Sequence, residues 1–196
     1  MNNRSADSNS LFMSIFPPTQ CGITTYTTDI LNAISKGFSQ TFTCIQCDLK
    51  RGDQTNSASE YILNPDVREE YVKIAREVNL DSTIKLIHIQ HEFGLFGGSY
   101  GNYLFDFLKE INIPVVFTFH SVLSNPNDEL RAVVKELAFY AASIIVMTRS
   151  SMKILEEEYQ IQIHTIEYIH NGYQHMRSTE AEKWKETHGF KGLLII

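Results

Sequence analysis

Three short stretches place reactive or glycine-bearing residues directly after apolar runs. His120 follows Pro114–Phe119, His91-Glu92-Phe93-Gly94 follows Lys85–Gln90, and Cys21-Gly22-Ile23 follows Leu11–Phe16 and its Pro17-Pro18 stop. If the runs are parallel strands, these residues stand at strand carboxyl ends, where open α/β sheets bind ligands. An imidazole there can exchange a proton near neutral pH. A glycine there lets backbone N–H groups come close to a bound group, because no Cβ holds them away. Three such exits along one edge would make a coherent site. The competing reading of any single histidine is a structural one, a core imidazole with satisfied nitrogens.

Other motifs fit their chemistry less well. Cys44-Ile45-Gln46-Cys47 has C-x-x-C spacing, but it falls in the β-branched run Thr41–Cys47. Residues three apart on a strand point to opposite faces, and a redox cysteine needs a helix N-terminus. A zinc site would need a second pair, and only Cys21 remains, so no metal site is expected. Gly97-Gly98-Ser99-Tyr100-Gly101 matches the G-x-S-x-G of serine hydrolases. That elbow must turn straight from strand into helix, and here His91–Phe96 intervenes, which leaves Ser99 as a minor alternative. His91-Glu92 has Leu95 where H-E-x-x-H needs its second histidine. Neither a phosphate-binding P-loop nor a G-x-G-x-x-G after the first strand occurs, so no bound cofactor is expected.

The elements that must hold these residues follow from the rest of the chain. Its 196 residues carry 17 Lys+Arg and 23 Asp+Glu, a net charge of −6, with 43% hydrophobic residues. This is a globular composition, and the acidic balance argues against nucleic acid as a partner. Three cysteines make no disulfide framework, and with no signal peptide the expected compartment is the cytoplasm. The polar stretch 1–10 is expected to be disordered. No run is long enough to span a bilayer, although peripheral membrane contact is left open.

Short apolar runs alternate with helical periodicity, which predicts an α/β fold, a Rossmann-like parallel sheet with helices on both faces. Strands are expected at Leu11–Phe16, Thr41–Cys47, Lys85–Gln90, Pro114–Phe119, Ser143–Met147 and His164–Ile169. Helices are expected at Tyr26–Ile34, from Asn64-Pro65 through Val78, and at Tyr100–Ile111, Asn127–Ala142, Ser150–Tyr159 and Thr179–His188. Asp48–Asn64 reads as an irregular loop. Leu193–Ile196, four aliphatics after Gly192, reads as the start of a further buried strand.

Taken together the motifs resemble a known family. Pro17-Pro18-Thr19-Gln20-Cys21-Gly22-Ile23 before an amphipathic helix is similar to the first strand–helix junction of retaining glycosyltransferases of family four. Gln90-His91-Glu92-Phe93-Gly94-Leu95-Phe96-Gly97-Gly98 resembles the Q-H-E-F-G-x-F-G-G segment of a mannosyltransferase-like bacterial branch. Thr118-Phe119-His120-Ser121-Val122-Leu123 resembles its T-L-H-T-V-L strand exit, and Val146-Met147-Thr148 its V-M-S. Order and spacing match over roughly residues 11–175.

The resemblance implies the N-terminal, acceptor-side half of a GT-B fold. Residues 11–175 would form that domain, and 176–196 a hinge helix with the first strand of a nucleotide-sugar domain. It implies that Cys21, Gly22 and Ile23 approach the donor phosphate or sugar and that His120 contacts the donor sugar near its reacting carbon. His91, Glu92, Phe93, Gly94, Gly97 and Gly98 would line the acceptor side of the cleft. Asn171 and Gly172 match the family's I-P-[HN]-G hinge, with His170 in place of the proline. The implied partners are a nucleotide-sugar donor, a glycan or lipid-linked acceptor, and a separate subunit carrying the donor domain. Alone, the chain is expected to be inactive. The alternative class is a non-enzymatic binding or interaction module that keeps the cleft.

Overall fold

The computed structural model describes residues 9–37, 41–47, 60–172 and 178–191. Seven strands form one parallel sheet: β1 (Asn9–Ser14), β2 (Thr41–Cys47), β3 (Tyr61–Leu63), β4 (Ile84–His91), β5 (Val115–Phe119), β6 (Ala141–Val146) and β7 (Ile166–Tyr168). Their order is β3-β2-β1-β4-β5-β6-β7. The strand order therefore reverses between β1 and β4, the place where doubly wound sheets open a ligand crevice. The expected Rossmann-like parallel sheet is the one observed.

Alternation along the strands divides the sheet into two faces. Leu11, Met13, Ile45, Ile87, Ile89, Phe117 and Ile144 are fully buried on one face. Against them pack Tyr71, Ile74 and Val78 of α2 (Arg68–Leu80), Leu104 and Phe107 of α3 (Leu104–Glu110), Val134 and Leu137 of α4 (Asp128–Tyr140) and Leu155 of α5 (Arg149–Glu157). On the other face, Phe12, Phe16 and Cys44 meet Ile30, Leu31 and Ile34 of α1 (Gly22–Gly37). A fully buried Leu, Ile, Val or Phe contributes roughly 1.5–3 kcal/mol, so the first face holds most of the stability.

α1 is rich in threonine, a weak helix former. Its hydroxyls bond back into the helix, Thr27 Oγ1 to Ile23 O and Thr28 Oγ1 to Thr24 O, each at 2.8 Å. Thr27 also meets Ser14 Oγ at 2.8 Å, which joins the helix to β1 through a buried hydroxyl pair. Among the described residues no helix is long and apolar enough to cross a membrane.

Several boundaries differ from the sequence reading. β1 starts at Asn9, so Asn9 and Ser10 belong to the sheet and not to a disordered 1–10 stretch. Asn9 Nδ2 donates to Thr43 Oγ1 across to β2, which gives these polar residues a partner. β3 lies inside the expected loop Asp48–Asn64. Asn64-Pro65 forms a turn ahead of α2, with the Asp66 N–H on Asn64 Oδ1 at 3.0 Å. Tyr100 is not helical in the expected sense. It belongs to a 3₁₀ turn, Ser99–Gly101, at φ 51°, and α3 begins only at Leu104. Ala141 and Ala142 open β6 instead of ending α4. α5 starts at Arg149 and not at the expected Ser150, and its cap is Thr148, whose hydroxyl accepts the Ser151 N–H at 2.9 Å. α6 (Ser178–Thr187) matches the expected polar helix. Residues 1–8 and the Leu193–Ile196 segment lie outside the described residues.

Candidate functional site

The loop after β1 is built to present the start of α1. Cys21 caps the helix, its Sγ taking the Thr24 N–H at 3.4 Å and meeting Thr24 Oγ1 at 3.2 Å. Burial pushes the thiol up, but the Thr24 hydroxyl and the Thr24 and Ile23 backbone groups outweigh it, so Cys21 ionises below its ordinary value. Gly22 is exposed, and a Cβ there would meet nothing within 4 Å. Its glycine is thus not required by packing. One helical turn on, Tyr26 lies half-buried with its ring edge-on to the His120 imidazole, centroids 5.0 Å apart.

His120 sits one residue past β5, its N–H on His91 O at 3.0 Å. Its Nε2 meets Gln90 Oε1 at 2.8 Å. Burial lowers its pKa, and the charge of Glu92 acts in the opposite direction. The imidazole is neutral at pH 7 and keeps a nitrogen lone pair.

The β4 exit divides into two groups. Glu92 is half-buried and organises the turn, accepting Ser121 Oγ at 2.6 Å and its neighbour Phe93 N–H at 3.0 Å. Gly94 is exposed, and Phe93 is half-buried edge-on to Tyr100 at 6.1 Å. His91, by contrast, is completely buried. Its ring lies 5.0–6.2 Å from the rings of Phe93, Phe96, Phe117 and Phe119. Neither ring nitrogen has a hydrogen-bond partner among the described residues. Burial lowers its pKa to about 3, so it stays neutral. The expectation that His91 lines a cleft does not fit this position, because the strand's alternation directs it to the same face as Ile87 and Ile89.

Gly97 is also interior. A Cβ on it would run into Pro65 O and the Tyr103 ring. Tyr71 closes this corner from α2, its hydroxyl donating to Pro65 O and accepting the Gly97 N–H, both at 3.1 Å. Gly98 is exposed at φ 79°, a conformation that favours glycine. Gly97 and Gly98 therefore shape the loop.

Asn171 and Gly172 follow β7 and are exposed. His170, where the resemblance has proline, pairs with Tyr168, Nε2 to hydroxyl 2.7 Å, and Arg149 stacks over that tyrosine at 4.9 Å. Asn171 and Gly172 line one groove of about 790 Å³ together with Gly22, Thr25, Tyr26 and Asp29. Gly22, the Asn171-Gly172 pair and, through Tyr26, His120 are thus brought together. His91 and Gly97 are not.

The competing motifs separate cleanly. Cys44 and Cys47 lie on opposite sheet faces. Both thiols are pushed up by burial, Cys44 to about 11 with Glu60 adding to the shift. Ser99 is exposed in the 3₁₀ turn, eight positions beyond the end of β4, so there is no nucleophile elbow. Among the described residues no cluster of three or more His, Cys, Asp or Glu could hold a metal ion. The sequence reading missed two residues that matter here: Tyr26, taken only as the first residue of an expected helix, and Gln90, the partner of His120. The signal for Gln90 was its place on a buried strand, directly before the His91 exit, where a polar side chain needs a reason.

No protein-family model matches the sequence, and no curated protein does. Solved structures do. A glycosyltransferase from Rickettsia africae ESF-5 superposes with a TM-score of 0.62 over 95% of this chain and 51% of its own, at 17% identity. An alpha-glucosyltransferase in complex with UDP-glucose and DNA containing an abasic site gives 0.55 over 90% and 45%, at 20% identity. An alpha-glucosyltransferase with UDP and a mismatched 13-mer DNA gives 0.50 over 72% and 37%, at 19% identity. The chain spans about half the length of the first of these. Its α/β sheet is a fold that glycosyltransferases share.

Proposed function

We propose that this chain supplies the acceptor-side half of a retaining glycosyltransferase site, which moves a sugar from a nucleotide sugar to a glycan or lipid-linked acceptor. The observation that carries the reading is the joining of Gly22, Tyr26 and Asn171-Gly172 in one groove, with the Tyr26 ring edge-on to His120. UDP and UDP-glucose are the ligands of two neighbours in fold. Those neighbours also hold DNA, but a net charge of −6 favours a neutral glycan or lipid-linked acceptor here.

In this reading Gly22 and the backbone N–H groups at the start of α1 face the donor's phosphate or sugar, aided by the helix dipole. His120 contacts the donor sugar near its reacting carbon. Glu92, Phe93 and Gly94 lie on the acceptor side, and Asn171-Gly172 is the hinge. Sugar transfer also needs charge stabilisation on the departing diphosphate. Among the described residues lining the groove Lys36 is the sole cation. Transfer therefore requires a second, donor-binding half that supplies more positive charge.

The test incubates the purified chain with UDP- and GDP-sugars and mixed glycan acceptors. It is run alone and with the half of the Rickettsia africae enzyme that this chain does not cover. No transfer alone, transfer on mixing, and its loss with His120→Ala are expected. Turnover by the chain alone overturns the need for a second half. Acceptor binding by saturation-transfer NMR without transfer in either arrangement favours the binding-module reading, and absence of both sinks the proposal.

A further inference from the structure

Four polar side chains occupy the α1 side of β4 and β5, where the strands are otherwise apolar. β4 contributes His88 and Gln90, and β5 contributes Thr118 with His120 just beyond it. The parallel register sets Gln90 beside Thr118 and His88 beside Val116. Gln90 and Thr118 are fully buried. Burying such groups costs free energy unless each finds a partner.

Here each does, in one chain of contacts. Thr118 Oγ1 lies 2.8 Å from His88 Nε2. Gln90 Nε2 lies 3.4 Å from the same nitrogen, and Gln90 Oε1 lies 2.8 Å from His120 Nε2. The proton bookkeeping follows from the donor and acceptor character of each atom. An amide oxygen only accepts, so the proton between Gln90 and His120 belongs to His120 Nε2. An amide NH₂ only donates, so His88 Nε2 is an acceptor; its single lone pair is shared between the Thr118 hydroxyl at 2.8 Å, the closer donor, and the Gln90 amide at 3.4 Å. His88 then carries its proton on Nδ1. Burial lowers the His88 pKa to about 4, which is consistent with a neutral ring. Phe12 packs against that ring, centroids 4.9 Å apart, and fixes its plane.

We propose that His88, Thr118 and Gln90 are positioning residues that hold His120 as its Nε2–H tautomer, with Nδ1 as its one proton-accepting nitrogen. The consequence for sugar transfer rests on the function proposed above, whereas the tautomer itself does not. In that site the relay would present His120 with a fixed lone pair and a fixed ring plane, without a rotation to complete at the moment of reaction.

Long-range ¹H–¹⁵N NMR of the purified chain at pH 7.5 tests this directly, with His120 assigned by its loss in His120→Asn. A single Nε2–H tautomer is expected, with His88 in the opposite, Nδ1–H form. An Nδ1–H form or an even mixture at His120 overturns the proposal without any other variant. Gln90→Leu, with folding checked by its amide spectrum, is expected to lose the single tautomer. Gln90→Glu is expected to keep it and raise the His120 pKa by about 1–3 units, since a carboxylate then accepts the Nε2–H. The other titratable groups near that ring, Glu92, His88 and His91 of β4 with its exit and Tyr26 of α1, are unchanged in this comparison. An unshifted His120 pKa in Gln90→Glu counts against the relay even if Gln90→Leu does not fold. Failure of transfer with the tautomer intact would sink the functional reading and leave the relay standing.

Discussion

Replacing His91 should make the protein more stable and less sensitive to acid. The imidazole is completely buried among phenylalanines, with neither nitrogen partnered among the described residues. Methionine is close to histidine in volume and makes favourable sulfur–aromatic contacts, so His91→Met should cause little strain. An unpaired buried polar atom costs about 1–3 kcal/mol. The variant should therefore gain about 1–3 kcal/mol at pH 7. Its pH dependence is the sharper test. The folded pKa, about 3, is depressed below the ordinary 6.5, so the unfolded chain binds more protons between these values. Stability is then fully present above pH 6.5 and is lost as pH falls toward the folded pKa. From pH 7 to pH 5 the loss from His91 is about 2 kcal/mol. His88, depressed to about 4, adds a loss of similar order over the same interval. Urea unfolding at both pH values should show the variant losing about 2 kcal/mol less than wild type. Equal losses in the two proteins would refute the reasoning, because His91 would then be solvated or paired.

Other substitutions separate packing from ligand contact. Gly22→Ala adds a Cβ into open space at the start of a helix, so its melting temperature should hold or rise. The same methyl should weaken nucleotide-sugar binding at least about tenfold by calorimetry if backbone approach matters there. Gly97→Ala drives a methyl against Pro65 O and the Tyr103 ring, and should cost about 1–3 kcal/mol in urea unfolding. Tyr71→Phe removes the hydroxyl between Pro65 and Gly97. It should cost about 1–3 kcal/mol and speed amide exchange at Gly97, and unchanged exchange there would remove Tyr71 from its role in the loop.

Most of the sheet was legible because its strands are long apolar or β-branched runs. Val115–Phe119 and Thr41–Cys47 are plain in the sequence for that reason. Tyr61–Leu63 was not, since three residues at a sheet edge leave no alternation to detect. The true cap at Thr148 competed with Ser150 two positions on, and only backbone geometry decides between such hydroxyls. The site was legible at the level of strand exits and less so at the level of side chains. His91 and His120 both follow apolar runs, yet they lie on opposite faces. Counting in twos from Ile87 and Ile89 already puts His91 inside, and counting from Thr118 puts His120 beside the other face. Gln90 became visible as a partner only when adjacent strands were set in register, a relation that a single strand's pattern does not contain.

The position of β1 has a consequence for how the protein assembles. This strand comes first in the described chain but lies in mid-sheet, flanked by β2 and β4. On a ribosome, Asn9 must wait for Ile84 to emerge before its second neighbour exists, while β4 to β7 each pair with the strand made just before or after. Closing the longer loop is the slow, high-separation step. The β1–β4 junction is thus the seam of greatest sequence separation, and the groove joins its two sides, α1 on one and Asn171-Gly172 on the other. A nascent chain that has folded everything else would still have no site, and a ligand that requires the groove would report on completed assembly.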